Sequence, residues 1–404
     1  MSKDRADQSI QLCVVGGAGH VGLPLALSFA RAGLRVLIYD TNEAIFPTIR
    51  AGTMPFAERD GERLLREALD AGRLDFTTDP SRIAQVPVVV VTIGTPVDEF
   101  LNPVHRVMRE CMDALLPHLN EKQLLVLRST VYPGTTEWLA RHLASTGKQP
   151  LLAFCPERVV QGLAITELAS TPQIISGTTS EAVAAARRLF ERVSPEIIEL
   201  TPMEAEFAKL FNNTYRYIQF AITNQFFMIA NTAGVDYYRI RDAMTHNYPR
   251  AKDIPSAGFT AGPCLFKDTM QLAAFARNAF SLGHAAMLVN EGLVLYLIER
   301  LREIYPLKDM TVGLLGMAFK ADSDDTRASL SYKMRKDLQL HARDVLITDP
   351  LVASSHDLLP LDEVISRSDL LVLCVPHSAY RKLDTRGKPV IDIWNYLGTG
   401  SFPL

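Results

Sequence analysis

The sequence predicts an α/β protein in which two doubly wound parallel-sheet domains are joined by a central helical region with one long helix. Three observations carry that prediction. Short apolar runs alternate with helix-forming stretches over residues 1–200. The alternation gives way at Thr201 to long helical patterns, and it resumes from residue 307. The domains are therefore read as 1–200, 201–306 and 307–404, a division that suits a chain of 404 residues.

The first unit opens on the apolar run Leu12-Cys13-Val14-Val15, followed by Gly16-Gly17-Ala18-Gly19-His20-Val21-Gly22 and an apolar helical stretch over 23–31. Gly17, Gly19 and Gly22 fit G-x-G-x-x-G between a strand and a helix, a turn that lets a pyrophosphate approach the backbone. The second run, 35–39, ends in Asp40, eighteen residues after Gly22. A carboxylate there bonds a ribose 2′-hydroxyl and repels a 2′-phosphate, so the turn reads as a Rossmann-like site for NAD rather than NADP.

A helical stretch follows at 62–71, then a buried strand over 87–93 leading into Gly94-Thr95-Pro96. Next come a helix over 104–119 and a strand over 124–127 that ends in Arg128-Ser129-Thr130-Val131-Tyr132-Pro133. Hydroxyl-rich and Pro-rich turns at the carboxyl ends of strands are where ligands sit in open α/β sheets, and the same residues also serve as ordinary helix caps. A strand over 151–154 runs into Cys155-Pro156-Glu157-Arg158; a strand at Ile174-Ile175, a helix over 180–193 and a strand over 197–200 close the unit.

Thr201, Pro202 and Glu204 form a helix start signal, and the apolar pattern then continues to about Asn231. Lys209, Asn213 and Arg216 recur at i, i+4 and i+7 as one polar stripe, which suits a polar cleft or a solvated face. A helix over 238–245 and a loop with His246, Pro249 and Arg250 precede Phe259-Thr260-Ala261-Gly262-Pro263-Cys264-Leu265-Phe266-Lys267-Asp268. Here a small-residue turn delivers Cys264 to the first turn of a helix, where orphan N–H groups and the helix dipole favour a thiolate. Lys267 adds positive charge, and Asp268 projects from the same face four residues on. Helices are expected over 267–282 and 284–302. The last domain alternates strands at 311–316, 345–348, 370–375 and 390–393 with a helix over 329–341. It lacks the glycine fingerprint, and Lys320 at its first strand end suits a phosphate or sugar oxygen.

Composition narrows the function. A formal charge of −3 gives no general attraction to nucleic acid or anionic membrane. Five scattered cysteines (Cys13, Cys111, Cys155, Cys264, Cys374) form neither a disulfide framework nor a metal pattern, so no metal is expected. The polar N-terminus does not read as a signal peptide, and no apolar run is read as a membrane span. A cytoplasmic protein is expected.

An NAD site implies hydride transfer, and a thiolate extends it. An aldehyde formed by a first hydride transfer can be trapped as a thiohemiacetal, which loses a second hydride to become a thioester. Hydrolysis then releases an acid, so a primary alcohol becomes a carboxylate with two NAD. Lys209 and Asn213 would stabilise charge on the substrate oxygen, while Asp268, Glu157 and Thr130 could move protons or orient water.

These motifs together resemble the UDP-glucose/GDP-mannose dehydrogenase family of nucleotide-sugar 6-dehydrogenases over nearly the whole length. The resemblance rests on Gly17-Ala18-Gly19-His20-Val21-Gly22-Leu23-Pro24, Gly94-Thr95-Pro96, Ser129-Thr130-Val131, Pro156-Glu157, Lys209 with Asn213-Thr214-Tyr215, Gly262-Pro263-Cys264 with Lys267-Asp268, and Lys320 with Asp324-Asp325 and Arg327. It implies Cys264 as nucleophile, Lys209 and Asn213 as oxyanion and substrate contacts, Asp268 as an aid to thiol activation or hydrolysis, and Glu157 and Thr130 as water and proton handlers. It places Gly17 to Gly22, Asp40, Thr95, Pro96, Thr130 and Arg327 at NAD. It places Lys320, Arg216, Phe259 and Gly262 at the nucleotide-sugar substrate, and Arg250 at the site across a homodimer interface built on the long helix. Two departures stand out. His20 replaces a common Tyr, and Gln161 stands where UDP-glucose enzymes usually have a second glutamate. The Pro-Glu-Arg form is similar to the branch acting on UDP-N-acetylhexosamines, in which Arg158 and Val159 contact substrate; a glucose-type sugar remains open. Two other readings compete: a two-electron hydroxyacid dehydrogenase of the 6-phosphogluconate type, against which Cys264 and the last domain argue, and a catalytically silent NAD-binding protein.

Overall fold

The computed structural model describes residues 9–260, 262–353 and 357–398, so Ala261 and the polar N-terminal residues 1–8 of the sequence reading lie outside the described residues. The chain divides into two compact units, residues 1–211 and 212–404.

The first unit is built on eight strands: β1 (Leu12–Val15), β2 (Val36–Tyr39), β3 (Leu74–Thr77), β4 (Val88–Val91), β5 (Leu124–Leu127), β6 (Leu151–Phe154), β7 (Gln173–Gly177) and β8 (Ile197–Glu199). Their order is β3-β2-β1-β4-β5-β6-β7-β8, so the order in which strands are added reverses between the parallel neighbours β1 and β4, the switch point at whose carboxyl ends a crevice opens. Neighbours pair in parallel except β6 and β7, which run antiparallel. Strand periodicity feeds two cores. Leu12, Val14, Val36, Ile38, Val90 and Val126 pack on one face; Cys13, Val15, Leu37, Tyr39, Val89, Val91, Leu125 and Leu127 pack on the other. Near-continuous apolar runs are what a sheet covered on both faces requires.

The second unit carries β9 (Thr311–Leu315), β10 (Asp344–Thr348), β11 (Leu370–Leu373) and β12 (Val390–Ile391) in the order β10-β9-β11-β12, all parallel. One face of this sheet packs Val312, Leu314, Val345 and Val372 against Leu293, Leu297 and Leu301 of the helix Ser281–Ile304. By length and composition that helix is apolar enough to cross a membrane, which corrects the expectation that no such run exists. Its apolar side, however, supplies the core of this sheet.

The helix Pro202–Thr232 starts in the first unit and ends in the second. Its start is a capping box: Glu204 N donates to Thr201 Oγ1 at 3.4 Å, and Glu204 Oε2 accepts from Thr201 N at 2.8 Å. Gly234, with φ +75°, follows its last turn. The helix Leu265–Phe275 is shorter than the sequence suggests, because Arg277 and Asn278 adopt φ of +51° and +60° and turn the chain.

Candidate active site

The first unit carries a glycine turn of dinucleotide-binding form. A side chain at Gly22 would run into Gly16 O and Gly17 Cα, so only glycine lets the helix Gly22–Arg31 start so close to the turn. Asp40 follows β2 and accepts from Ala18 N at 3.0 Å and Asn42 N at 3.0 Å. It is only partly covered, as a ribose ligand must be. The ends of β4 and β5 are tied together, since Thr95 Oγ1 donates to Thr130 O at 2.5 Å and Ser129 Oγ to Ile93 O at 2.6 Å. The turn geometry and the carboxylate thus fit a dinucleotide.

After β6, Glu157 is held through both carboxylate oxygens. Arg128 bonds Glu157 Oε2 through Nε at 2.9 Å and Nη2 at 2.5 Å, while Arg158 N and Val159 N donate to Oε1 at 2.8 and 3.0 Å. Arg158 turns its guanidinium to Pro172 O, and burial pulls its pKa below the ordinary arginine value. Gln161 Nε2 lies 3.0 Å from His20 Nδ1, so the two departures from the family pattern touch each other. Sequence reasoning missed Arg128; its signal was a charged residue directly after the apolar run of β5.

Glu206, on the first turns of the long helix, is also buried. It accepts from Gly134 N at 2.6 Å, Thr136 N at 2.8 Å and Thr136 Oγ1 at 2.6 Å, fastening the helix to the start of the helix Thr135–Ser145. Burial raises its carboxyl above the ordinary value. One turn on, Lys209 is buried, and so is Asn213 a further turn along. Arg216 is exposed, so the polar stripe divides: its first two members are enclosed and its third meets solvent.

The second unit carries the exposed thiol. Cys264 is the exposed N-cap of the helix Leu265–Phe275. The other four thiols are inert by comparison, since burial pushes Cys13, Cys155 and Cys374 up to about 12 and Cys111 to about 11. Asp268 sits one turn along, fully buried, bonded to Asn213 Nδ2 at 2.6 Å and Lys267 Nζ at 2.5 Å. Lys267 therefore spends its charge on Asp268. Arg327 is the cation coupled to the thiol: its pKa is raised, chiefly by hydrogen bonds to Asp325 and in smaller part by the charge of Cys264.

The cysteine turn is fixed to the loop after β9. Gly262 N donates to Ala328 O at 3.3 Å, and at φ +102° any side chain on Gly262 would strike the Phe319 ring. That loop carries Lys320, half-buried, and Arg327. It is pinned in turn by Asp322, whose N donates to His377 Nδ1 at 3.1 Å and whose Oδ1 accepts from Ser378 N at 2.8 Å. His377 Nε2 lies 3.2 Å from Asp349 Oδ2. Asp349 follows β10 as Asp40 follows β2, and it also accepts from Met317 N, Ala318 N, Leu351 N and Val352 N. Burial raises its carboxyl, but His377 and the backbone donors outweigh that and leave it at about 2. Phe259 is buried, while Arg250 is exposed with its guanidinium 5.1 Å above the Tyr248 ring.

A dinucleotide turn closed by an acid, with a second parallel sheet after a helical region, defines an NAD-dependent dehydrogenase of the nucleotide-sugar class. The chain belongs to the UDP-glucose/GDP-mannose dehydrogenase family: residues 10–194 match its NAD binding domain, 203–292 its central domain and 313–399 its UDP binding domain. It is 30% identical to a UDP-N-acetyl-D-mannosamine dehydrogenase of Pyrococcus horikoshii over 91% of this chain and 90% of that protein. An NDP-N-acetyl-D-galactosaminuronic acid dehydrogenase of Ralstonia nicotianae is 29% identical over 96% of this chain and 97% of its own. Among solved structures, a UDP-D-ManNAc dehydrogenase from Pyrococcus horikoshii superposes with a TM-score of 0.88 at 28% identity, covering 96% of each chain.

Proposed function

We propose that this chain oxidises the C6 primary alcohol of a UDP-N-acetylhexosamine to the uronic acid, with Cys264 as the covalent nucleophile. Gly17 to Gly22 and Asp40, with Thr95, Pro96, Thr130 and Arg327, would hold NAD, which when bound would supply the acceptor for two successive hydrides. The alcohol loses a hydride and a proton to give the aldehyde. The Cys264 thiolate adds to the carbonyl carbon, and the oxygen takes a proton to form a thiohemiacetal; loss of a second hydride and that proton leaves a thioester. Water then attacks, the C–S bond breaks, and acid and thiol are released. Lys209 and Asn213 steady the oxyanion at each addition. Asp268, anchored by Asn213 and Lys267, stands one turn from the sulfur.

The observation that carries the reading is the exposure of Cys264 at a helix N-terminus, coupled to Arg327, while the other four thiols are suppressed by burial. The choice of an N-acetylated sugar is supported by the relatives and by Gln161, which stands in place of a second glutamate and engages His20. Lys320, Arg158, Val159, Phe259 and Gly262 are assigned to the substrate. The chain is divided in function into a cofactor region (1–200), a central region (201–306) and a nucleotide-sugar region (307–404). A panel of nucleotide sugars with NAD tests this: a UDP-N-acetylhexosamine should give two NADH per sugar, and Cys264→Ser should stop the reaction while NAD still binds. One NADH per sugar, or an active Cys264→Ser variant, would point instead to a two-electron dehydrogenase; preference for UDP-glucose would overturn the sugar assignment.

The working form is a homodimer on the long helix, with Arg250 reaching the partner's site and Arg216 assigned to the substrate. Tyr215, Ile222 and Ile229, spaced by sevens, are exposed at 64%, 46% and 57%, and Phe226 is exposed beside them, an apolar seam that calls for a second helix. A single-chain mass in sedimentation would contradict this. The reaction belongs in the cytoplasm, a setting that suits five free thiols.

A further inference from the structure

We infer that Asn224 is a positioning residue for the Cys264 nucleophile: from the long helix, its amide grips the backbone of Gly258 and fixes where the cysteine turn begins. Residues 254–260 form neither helix nor strand, so their backbone groups must find partners among side chains or water. Side chains of the second unit supply several. Arg241 Nη2 donates to Ile254 O at 2.9 Å, Thr223 Oγ1 to Pro255 O at 3.4 Å and Tyr238 OH to Ala257 O at 3.5 Å. These reach carbonyls alone. Asn224 does more, because its Oδ1 accepts from Gly258 N at 2.9 Å while its Nδ2 donates to Gly258 O at 3.1 Å. An amide that both gives to and takes from one residue fixes that residue's orientation as well as its place, as a neighbouring strand would.

Asn224 cannot turn away. It is wholly buried, and its Nδ2 also donates to Asn290 Oδ1 at 3.0 Å. Asn290, likewise wholly buried, donates in turn to Tyr217 O at 3.0 Å, two turns earlier on the same long helix. Gly258 N can only donate, so one orientation of the Asn224 amide satisfies the set. Gly258 also meets Trp394: at φ +153° a side chain here would strike the indole, whose Nε1 is committed to Cys374 O at 3.1 Å. An amide and a ring together hold this residue.

From Gly258 the chain has six residues in which to reach Cys264. Phe259 and Thr260 are buried, and Gly262 N is bonded to Ala328 O at 3.3 Å. With Gly258 and Gly262 both fixed, little freedom remains in how the sulfur arrives at the helix N-terminus, where backbone N–H groups favour the thiolate. A satisfied buried amide specifies one packing, whereas an apolar contact of the same size would hold the segment without choosing its path. Resting on the proposed function, in which Cys264 takes the aldehyde, loss of Asn224 should be felt in the thiol-dependent half of the reaction.

The test compares Asn224→Ala with Asn231→Ala. Asn231, two turns further along the same helix, is also buried, and it accepts from Tyr296 OH at 2.8 Å. Both variants should melt at lower temperature, and only Asn224→Ala should move the sulfur. Iodoacetamide labelling of Cys264 at neutral pH should slow about threefold or more, as for loss of one or two hydrogen bonds that hold the turn in place. With the 6-aldehyde of a UDP-N-acetylhexosamine, oxidation by NAD needs the thiol and reduction to the alcohol by NADH does not. In Asn224→Ala the oxidation should fall about tenfold or more and the reduction by less than about threefold, with the aldehyde's KM within about twofold. Asn231→Ala should leave the labelling rate and the ratio of oxidation to reduction within about twofold. Asn224→Asp keeps the volume and the bond from Gly258 N but sets an oxygen against Gly258 O and Asn290 Oδ1, so it should repeat both effects. An unchanged labelling rate or an unchanged ratio in Asn224→Ala, or the same changes in Asn231→Ala, would overturn the inference, for Asn224 would then serve stability alone. So would failure of both Asn224 variants to fold. A wild type that oxidises no nucleotide sugar and no aldehyde would overturn the proposed function instead; the labelling comparison would still judge the positioning of the sulfur, because it uses no substrate.

Discussion

Replacing Gly262 by alanine should injure both stability and chemistry, by amounts that follow from two features of the turn. The residue sits at φ +102°, where an L side chain costs about 1–2 kcal/mol. The new methyl would also enter the Phe319 ring, and overpacking costs about 1–3 kcal/mol. The sum, about 2–5 kcal/mol, should lower the melting temperature by roughly 4–20 °C for a unit of this size. Relief requires Phe319 to move, and Phe319 N is bonded to Asp325 O at 2.9 Å, in the residue that holds Arg327. Cys264 and its coupled cation would therefore shift together. A displacement of about 1 Å at a nucleophile costs about a hundredfold in rate, so kcat should fall at least that far. Scanning calorimetry, steady-state NADH formation and the rate of iodoacetamide labelling at Cys264 read the three consequences. A variant with wild-type melting temperature and kcat would show that the turn is not held against Phe319 and would refute the reasoning.

Lys209→Ala should lower the rate by roughly a hundredfold or more, the cost of removing one oxyanion stabiliser, with little change in NAD affinity; near-normal turnover would place this lysine outside the chemistry. Asp40→Ser should cut the preference for NAD over NADP by roughly tenfold or more in kcat/KM, as the repulsion of a 2′-phosphate is lifted; an unchanged ratio would remove Asp40 from the ribose. Asp349 titrates at about 2 against an ordinary 3.8. Because its folded-state pKa is depressed, the stabilisation is fully present above pH 3.8 and is lost as pH falls toward 2. It amounts to about 2 kcal/mol. The stability gap between wild type and Asp349→Asn should therefore narrow across that window, and a gap independent of pH would contradict the assignment.

The chain shows its architecture early because buried parallel strands are written as short apolar runs, and β1, β4, β5 and β6 stand out at once. β3 escapes notice because Asp75 interrupts its run, and the reversal of β7 against β6 leaves no mark, since apolar periodicity has no direction. The end of the cysteine helix is hidden for a related reason: Arg277 and Asn278 make the left-handed turn without a glycine or proline to announce it. At the site, Cys264, Asp268, Lys209 and Asn213 are legible from residue type and helical spacing. Partnership is not. That Lys267 would turn to its neighbour Asp268 is a choice of side-chain conformation that residue type leaves open, and that Arg327 would feel the charge of Cys264 and Arg128 would bond Glu157 depends on loops meeting across long sequence separations.

The two acids that follow β2 and β10 make an instructive pair for anyone wishing to graft a second cofactor onto this scaffold. Each braces the turn after its neighbouring first strand by accepting backbone N–H groups, Ala18 in one case and Met317 with Ala318 in the other. Asp40 keeps lone pairs to spare for a hydroxyl. Asp349, enclosed by five donors that include His377, has none. The same side chain after the corresponding strand thus keeps acceptor capacity in one half and is a keystone in the other. Inserting glycines after β9 would not confer dinucleotide binding unless the histidine were first taken away.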